Sequence, residues 1–415
     1  MDYIKYRKTY NNIKYIYLFL SLFIFKNIYI IFMGKLSLIL GFNTVVSTYL
    51  YYGVMWIMLL FSIFYIVRSI DVSTIFFLMF FTIILLGTLL FYPSAKFFLV
   101  EKPSIDWFKF PIEPFIAVLP FFLIGNAVSD YSLLREYWHK TARIGMIVAA
   151  GSDLLTIIFN LNKNYDNMSY AYSLAALLCI IVYEYLSKKN KIDLILLIVG
   201  FILQLIAGTR GPLVCIFAVF IIYFLFSKTD LKTKSIFILI IVLLLVFLSS
   251  GLFGYLVESV NTGIQHVGVS SRILDMVISG DIVDSSGRDI IGENIWNAII
   301  KKPFTGYGLA GDRGLTQLEY SHNLFLEIWC HFGLIFGTIL LIILTIMITR
   351  GIRSKNEDLK ALVIIMFSFA IVKLFFSSSY MNSQEFFILI GLCINIKRSE
   401  NYAVKEDSKK AVASI

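Results

Sequence analysis

Six side chains are best suited to chemistry: Arg210, Arg288, Arg313, His322, Asn323 and Glu327. Three are guanidinium groups, which can grip a phosphate through paired hydrogen bonds. One is an imidazole, whose pKa near working pH suits a general base acting on a hydroxyl. Arg210 is flanked by Gly208 and Gly211, with Pro212 suited to the first turn of the helix that follows. Arg288 follows Asp284, Ser285 and Ser286, and Ser286 with Asp289 has the spacing of a capping box. The spacing predicts a helix of roughly three turns after it, with Ile291, Ile295, Ala298 and Ile299 on one face. A cation in that first turn opposes the helix dipole unless an anion binds there too. His322 and Asn323 open an apolar run, where Ser321 or Asn323 could cap, and Glu327 follows about one turn on, near the water interface.

Each has a plainer reading. Arg210 could snorkel to lipid headgroups. Arg288 and Arg313 could be solvated loop charges, and His322 could only cap or pack. His331, deeper in the same run, reads as a buried helix contact. Asp153 and Lys373 lie inside apolar spans, where charges are costly and are usually paired, with each other or elsewhere, or functional. Cys179, Cys215, Cys330 and Cys393 lie singly in apolar stretches without ligand spacing, so no disulfide is expected. The four histidines lack metal-site spacing, and no carboxylate cluster, phosphate loop or dinucleotide fingerprint appears. No metal or cofactor is expected.

The elements that position these groups are apolar helices. The chain has 415 residues, 59% hydrophobic and only 15% charged, with mean hydropathy +0.82. Soluble domains carry about 25% charged residues, so the expected fold is all-α: a polytopic integral membrane protein of about twelve transmembrane helices. The spans fall near 15–33, 48–67, 74–92, 112–128, 142–160, 168–186, 191–208, 211–227, 235–254, 323–349, 360–378 and 383–397. They give an organisation of 1–254 (nine spans), 255–322 (one large external loop with an amphipathic helix), 323–397 (three spans) and 398–415 (a charged, disordered tail). The N-terminus, with Lys5, Arg7, Lys8 and Lys14, reads as cytoplasmic before an uncleaved first span.

Basic turns at Lys188, Lys189 and Lys191, at Lys228, Lys232 and Lys234, and at Arg350, Arg353, Lys355 and Lys360 mark the cytoplasmic side. Arg135, Lys140 and Arg143 fit that side, and both termini then lie inside. Arg210, the loop 255–322 and the start of the tenth span fall outside. The net charge of +9 follows this topology and implies no nucleic-acid partner. A solute transporter or lipid-glycan flippase remains a rival, but transporters place polar groups and broken helices near mid-membrane. No internal repeat is visible, and charge concentrates at one external face.

The order of these motifs resembles the O-antigen ligase and polymerase superfamily of bacterial envelope glycan assembly. The resemblance runs from about Gly200 to Leu341. It rests on Gly208 to Gly211, on Ser286 to Asp289 with Trp296, on Lys302 to Gly308, and on Ser321 to Glu327 with Gly333. One departure is that the second glycine of the family's Gly-x-x-Gly falls one position late, at Gly337. The resemblance implies metal-independent, inverting glycosyl transfer at the outer face of the inner membrane. The donor would be a glycan on undecaprenyl diphosphate and the acceptor a glycan or lipid-core hydroxyl. Membrane lipids and other polysaccharide assembly proteins would be partners. Arg210 and Arg288 would stabilise the departing diphosphate, and His322 would position or deprotonate the acceptor. Arg313, Asn323, Glu327 and Arg272 would complete substrate binding. The expected activity is an O-antigen or capsular polysaccharide polymerase, with a ligase as the alternative.

Overall fold

The computed structural model describes residues 70–92, 113–158, 167–207, 209–226, 287–316 and 320–396, with a few isolated positions elsewhere. Among these the regular structure is helical and contains no strand. The expected spans at 15–33, 48–67 and 235–254, the tail and Arg272 lie outside the described residues. The chain divides into two compact units. One gathers the described residues of Leu59–Ser132 and Ser285–Ile415, the other those of Leu18–Met58 and Leu133–Asp284.

In the first unit, α1 (Val72–Phe91) is apolar along its whole length. Asp71 caps it, accepting from Thr74 N at 2.8 Å. Its 20 residues rise about 30 Å, enough to cross a bilayer. Helix α2 (Glu113–Ala127) packs against the last helix, α12 (Gln384–Ile394). Their backbones nearly touch. A Cβ on Gly125 would stand 2.7 Å from the Ile388 carbonyl oxygen, and one on Gly391 would stand 2.4 Å from that of Phe122. Paired glycines are how apolar helices without a hydrophobic driving force come close enough to pack.

The second unit holds α3 (Tyr131–Ile158), α4 (Asn167–Lys188), α5 (Lys191–Ile206) and α6 (Arg210–Phe226). Leu133 and the residues after it carry α3 into this unit. Helix α4 is its core, with nearly every residue from Tyr170 to Leu186 buried, and α5 and α6 lie against it. Arg135, Lys140 and Arg143 sit on α3 itself, not in a turn before a span beginning near 142. Arg143 clasps Asp193 with two bonds of 2.7 and 2.8 Å, and His139 meets the same carboxylate at 3.0 Å. Arg135 binds Glu184, which Lys188 also reaches at 2.8 Å.

The first unit continues with α7 (Arg288–Lys301), α8 (Gly311–Leu315), α9 (Leu324–Phe332), α10 (Leu334–Ile352) and α11 (Glu357–Met366). Two expectations are corrected here. The residue capping α7 is Gly287, with φ +80° and no side-chain bond, while Ser286 of the expected capping box lies outside the described residues. The tenth span is not one helix, because Gly333 (φ +75°) breaks it into α9 and α10. The eleventh does not run to 378 as one α-helix. It stops at Met366, passes through a π turn at Phe367–Ile371 and ends in the serine run around Ser378 (φ +91°). Among the described residues, three helices are long and apolar enough to cross a membrane, namely α1, α4 and α10.

Candidate functional site

The site-bearing stretch is built on α7. Ile295 and Ile299 bury one face of this helix against Cys330, with Leu326 and Trp329 packed alongside. That is the apolar face the sequence pattern predicts, and it docks α7 onto α9. Arg288 is the first residue of α7 and is half-buried.

The turn after α7 locks into the helix break. Pro303 accepts from Leu334 N at 2.6 Å, Tyr307 N donates to Cys330 O at 2.8 Å, and Gly308 N donates to His331 O at 3.0 Å. The turn thus satisfies carbonyls that the end of α9 leaves open. Gly306 and Gly333 face each other. A Cβ on Gly306 would lie 2.6 Å from Gly333 N, and one on Gly333 would lie 2.7 Å from the Phe304 carbonyl. Both have positive φ, so only glycine fits without strain. The late glycine, Gly337, still serves close packing: a Cβ there would lie 3.1 Å from Ile328 O.

Asp312 and Arg313 follow on α8. Asp312 is buried, and it organises the turn that carries His322. Its Oδ2 accepts from Ser321 N at 3.2 Å, and its Oδ1 faces His331 Nε2 at 2.9 Å. Burial opposes ionisation of Asp312. The neighbouring His331, the Arg313 charge and the Ser321 N–H outweigh burial and hold the carboxyl below its ordinary range. A carboxylate only accepts, so the proton of a neutral His331 ring sits on Nε2. Its Nδ1 then accepts from the Tyr380 hydroxyl at 2.7 Å. Tyr380 closes the circuit through its backbone N–H, which donates to Glu327 Oε2 at 3.3 Å, while the Ser379 hydroxyl donates to Oε1. Glu327 is buried, 1% exposed.

His322 is half-buried, adopts φ +52° and lays its ring over Tyr320, with centroids 4.1 Å apart. Asn323 caps α9, its side chain accepting from Phe325 N at 2.9 Å and Leu326 N at 3.3 Å. Arg313, His322, Asn323 and Glu327 therefore share one framework. Arg288 joins it through the packing of α7. Arg210 heads α6 in the other unit and is half-buried. Asp153 and Lys373 each have a partner of their own: Asp153 accepts from Tyr170, and Lys373 lies 3.8 Å from Glu385.

Sequence spacing hid Asp312, His331 and Tyr380 as a group. They are separated by 19 and 49 positions in the chain and meet only through the fold. Asp312, Glu327 and His331 also offer three ligand-type atoms within 4.8 Å of one another, a grouping that could hold a cation. Internal hydrogen bonds engage all three residues. Beside them lies a cavity of about 280 Å³ bordered by Thr88, Tyr92, Thr305, Gly308 and His331. An apolar cavity of about 390 Å³ extends between α1 and α10, past Phe76, Phe80, Phe336 and Tyr380.

Fold and site together give a helical chain with membrane-length apolar helices, and with Arg288, Arg313 and His322 on a loop and a broken helix. Residues 194–342 match the family model described as O-antigen ligase. The match runs from α5 through the Arg288 and His322 elements into α10. No curated protein and no solved structure matches the chain.

Proposed function

We propose that the protein transfers a glycan from undecaprenyl diphosphate to an acceptor hydroxyl at the outer face of the inner membrane, as a polymerase of lipid-linked repeat units. The observation that carries this reading is the family match over 194–342. It covers the Gly/Arg turn, the Arg288 helix and the turn bearing His322. Arg210, Arg288 and Arg313 bind the diphosphate and stabilise its developing charge, an electrostatic role that needs no metal. Arg272 adds to that binding. His322 accepts the acceptor hydroxyl proton as the sugar–phosphate bond breaks and the new glycosidic bond forms with inversion. Asn323 holds the His322 turn. Glu327 is buried, and it braces α9 without touching substrate.

A ligase that moves finished glycan to lipid A-core or another acceptor is the second reading, favoured by the description of the matching family. The displacement of Gly337 from the family spacing favours the polymerase. Span count and the basic turns support a multi-pass protein with both termini in the cytoplasm.

The glycan made by a deletion strain tests this. A single repeat unit on the acceptor identifies a lost polymerase. Full chains stranded on the lipid carrier identify a lost ligase. Unchanged glycan overturns both readings and returns the protein to transport.

A further inference from the structure

We propose that Asp312 and His331 are positioning residues that set the His322 turn, through a buried hydrogen-bond chain running from Tyr380 to Ser321. This rests on the reading of His322 as the group that meets the acceptor.

The Tyr380 hydroxyl meets His331 Nδ1 at 2.7 Å, His331 Nε2 donates to Asp312 Oδ1 at 2.9 Å, and Ser321 N donates to Asp312 Oδ2 at 3.2 Å. Asp312 thus spends one oxygen on His331 and the other on the residue just before His322. The Ser321 hydroxyl donates onward to Asn323 O at 3.1 Å, so the residues on both sides of His322 are tied down. His322 itself adopts φ +52°, a region where a residue with a Cβ persists only if its surroundings hold it. Asp312 fixes the residue before His322, and the Asn323 cap fixes the residue after it. His331 and Tyr380 in turn hold Asp312, because a buried carboxylate takes the orientation its donors impose.

Three segments meet in the chain. Asp312 comes from α8, His331 from the last turn of α9, and Tyr380 from the short 3-10 turn Tyr380–Asn382. Glu327 anchors that turn from the other side, through Tyr380 N and Ser379. The device therefore couples the loop bearing Arg313 to the turn bearing His322. A displacement of about 1 Å at a reacting group costs on the order of 100-fold in rate, so the framework's effect should appear in turnover and not in donor binding.

The test uses the full-length protein in a deletion strain, with chain formation read as the polysaccharide ladder. Purified protein in nanodiscs supplies affinity for undecaprenyl diphosphate, metal content and hydrogen exchange of residues 321–326. Asp312→Ala should lower chain formation about 100-fold, leave undecaprenyl diphosphate affinity within about twofold, and speed exchange across 321–326. Asp312→Asn keeps an oxygen for Ser321 N and should restore most of the chain formation. His331→Gln, whose side-chain nitrogen can still donate to Asp312, should likewise exceed His331→Ala.

Full chain formation in Asp312→Ala would overturn the proposal. So would an Asn variant as inactive as the Ala variant, since charge rather than orientation would then matter. A stoichiometric divalent metal that is lost in Asp312→Ala would overturn it in favour of a cation site. His322→Ala separates the two layers. Full activity there removes the reading of the site itself. Inactivity there, with wild-type turnover in Asp312→Ala, removes only the positioning role.

Discussion

Two pairs of buried carboxylates, Asp193 with Glu184 in one unit and Asp312 with Glu327 in the other, have different partners. In the helical unit around α4, Asp193 and Glu184 face guanidinium groups: Arg143 makes paired bonds to Asp193, and Arg135 binds Glu184. In the unit carrying the His322 turn, Asp312 faces an imidazole and a backbone N–H, while Glu327 faces a hydroxyl and a backbone N–H. The first arrangement fixes charge permanently, because arginine does not lose its proton. The second depends on donors that orient the carboxylate, so its geometry can be tuned by replacing one partner. Permanent ion pairs suit a scaffold. A chain of oriented donors suits a place where one side chain must be held at a chosen angle.

The largest effect expected from this contrast is in the ion-paired unit. Asp193→Asn and Glu184→Gln each strand a guanidinium beside a buried neutral group, which costs about 3–5 kcal/mol. Thermal melting and the amount of inserted protein should both fall, and chain formation should fall in proportion to the protein lost. Stability unchanged by both substitutions would erase the comparison. Next comes the hinge of the other unit. Gly333→Ala puts a Cβ against the Phe304 carbonyl at 2.7 Å and forces positive φ on alanine. The backbone term alone costs about 1–2 kcal/mol, and the clash adds to it, so melting should drop and the α9–α10 break should exchange faster.

Glu327→Gln is the matched control. Both of its partners are neutral, and a reoriented Ser379 hydroxyl can accept from the new amide. Stability should change by less than about 1 kcal/mol. A loss as large as that of Glu184→Gln would mean that Glu327 carries a charge its surroundings depend on.

The smallest effect is in pH. Asp312 has a depressed folded-state pKa, so its contribution is present above the unfolded value near 4 and disappears as pH falls through the folded value. The melting difference between wild type and Asp312→Asn should be flat from about pH 8 to pH 5 and shrink only below about pH 4. A difference that changes near neutrality would contradict this.

Much of the organisation was legible because helices announce themselves through apolar length and capping residues. A helix with Arg288 in its first turn, the buried face of Ile295 and Ile299, and Asn323 as one of two candidate caps were legible from spacing. The helix break was not legible, because Gly333 sits in an unbroken apolar run and breaks the helix only when the 303–308 turn docks against it. His331 read as a packing residue because its partners lie 19 and 49 positions away. Glu327 read as interfacial for the same reason: what buries it is the Ser379–Tyr380 segment, which no local pattern connects to α9.

His322 is proposed to meet the acceptor on a framework held by Asp312 and the Asn323 cap. The most direct measurement is the polysaccharide ladder of a deletion strain complemented with His322→Ala at wild-type levels of inserted protein. Loss of chain growth, leaving a single repeat unit on the acceptor, is the predicted result. A full ladder from that variant would contradict it.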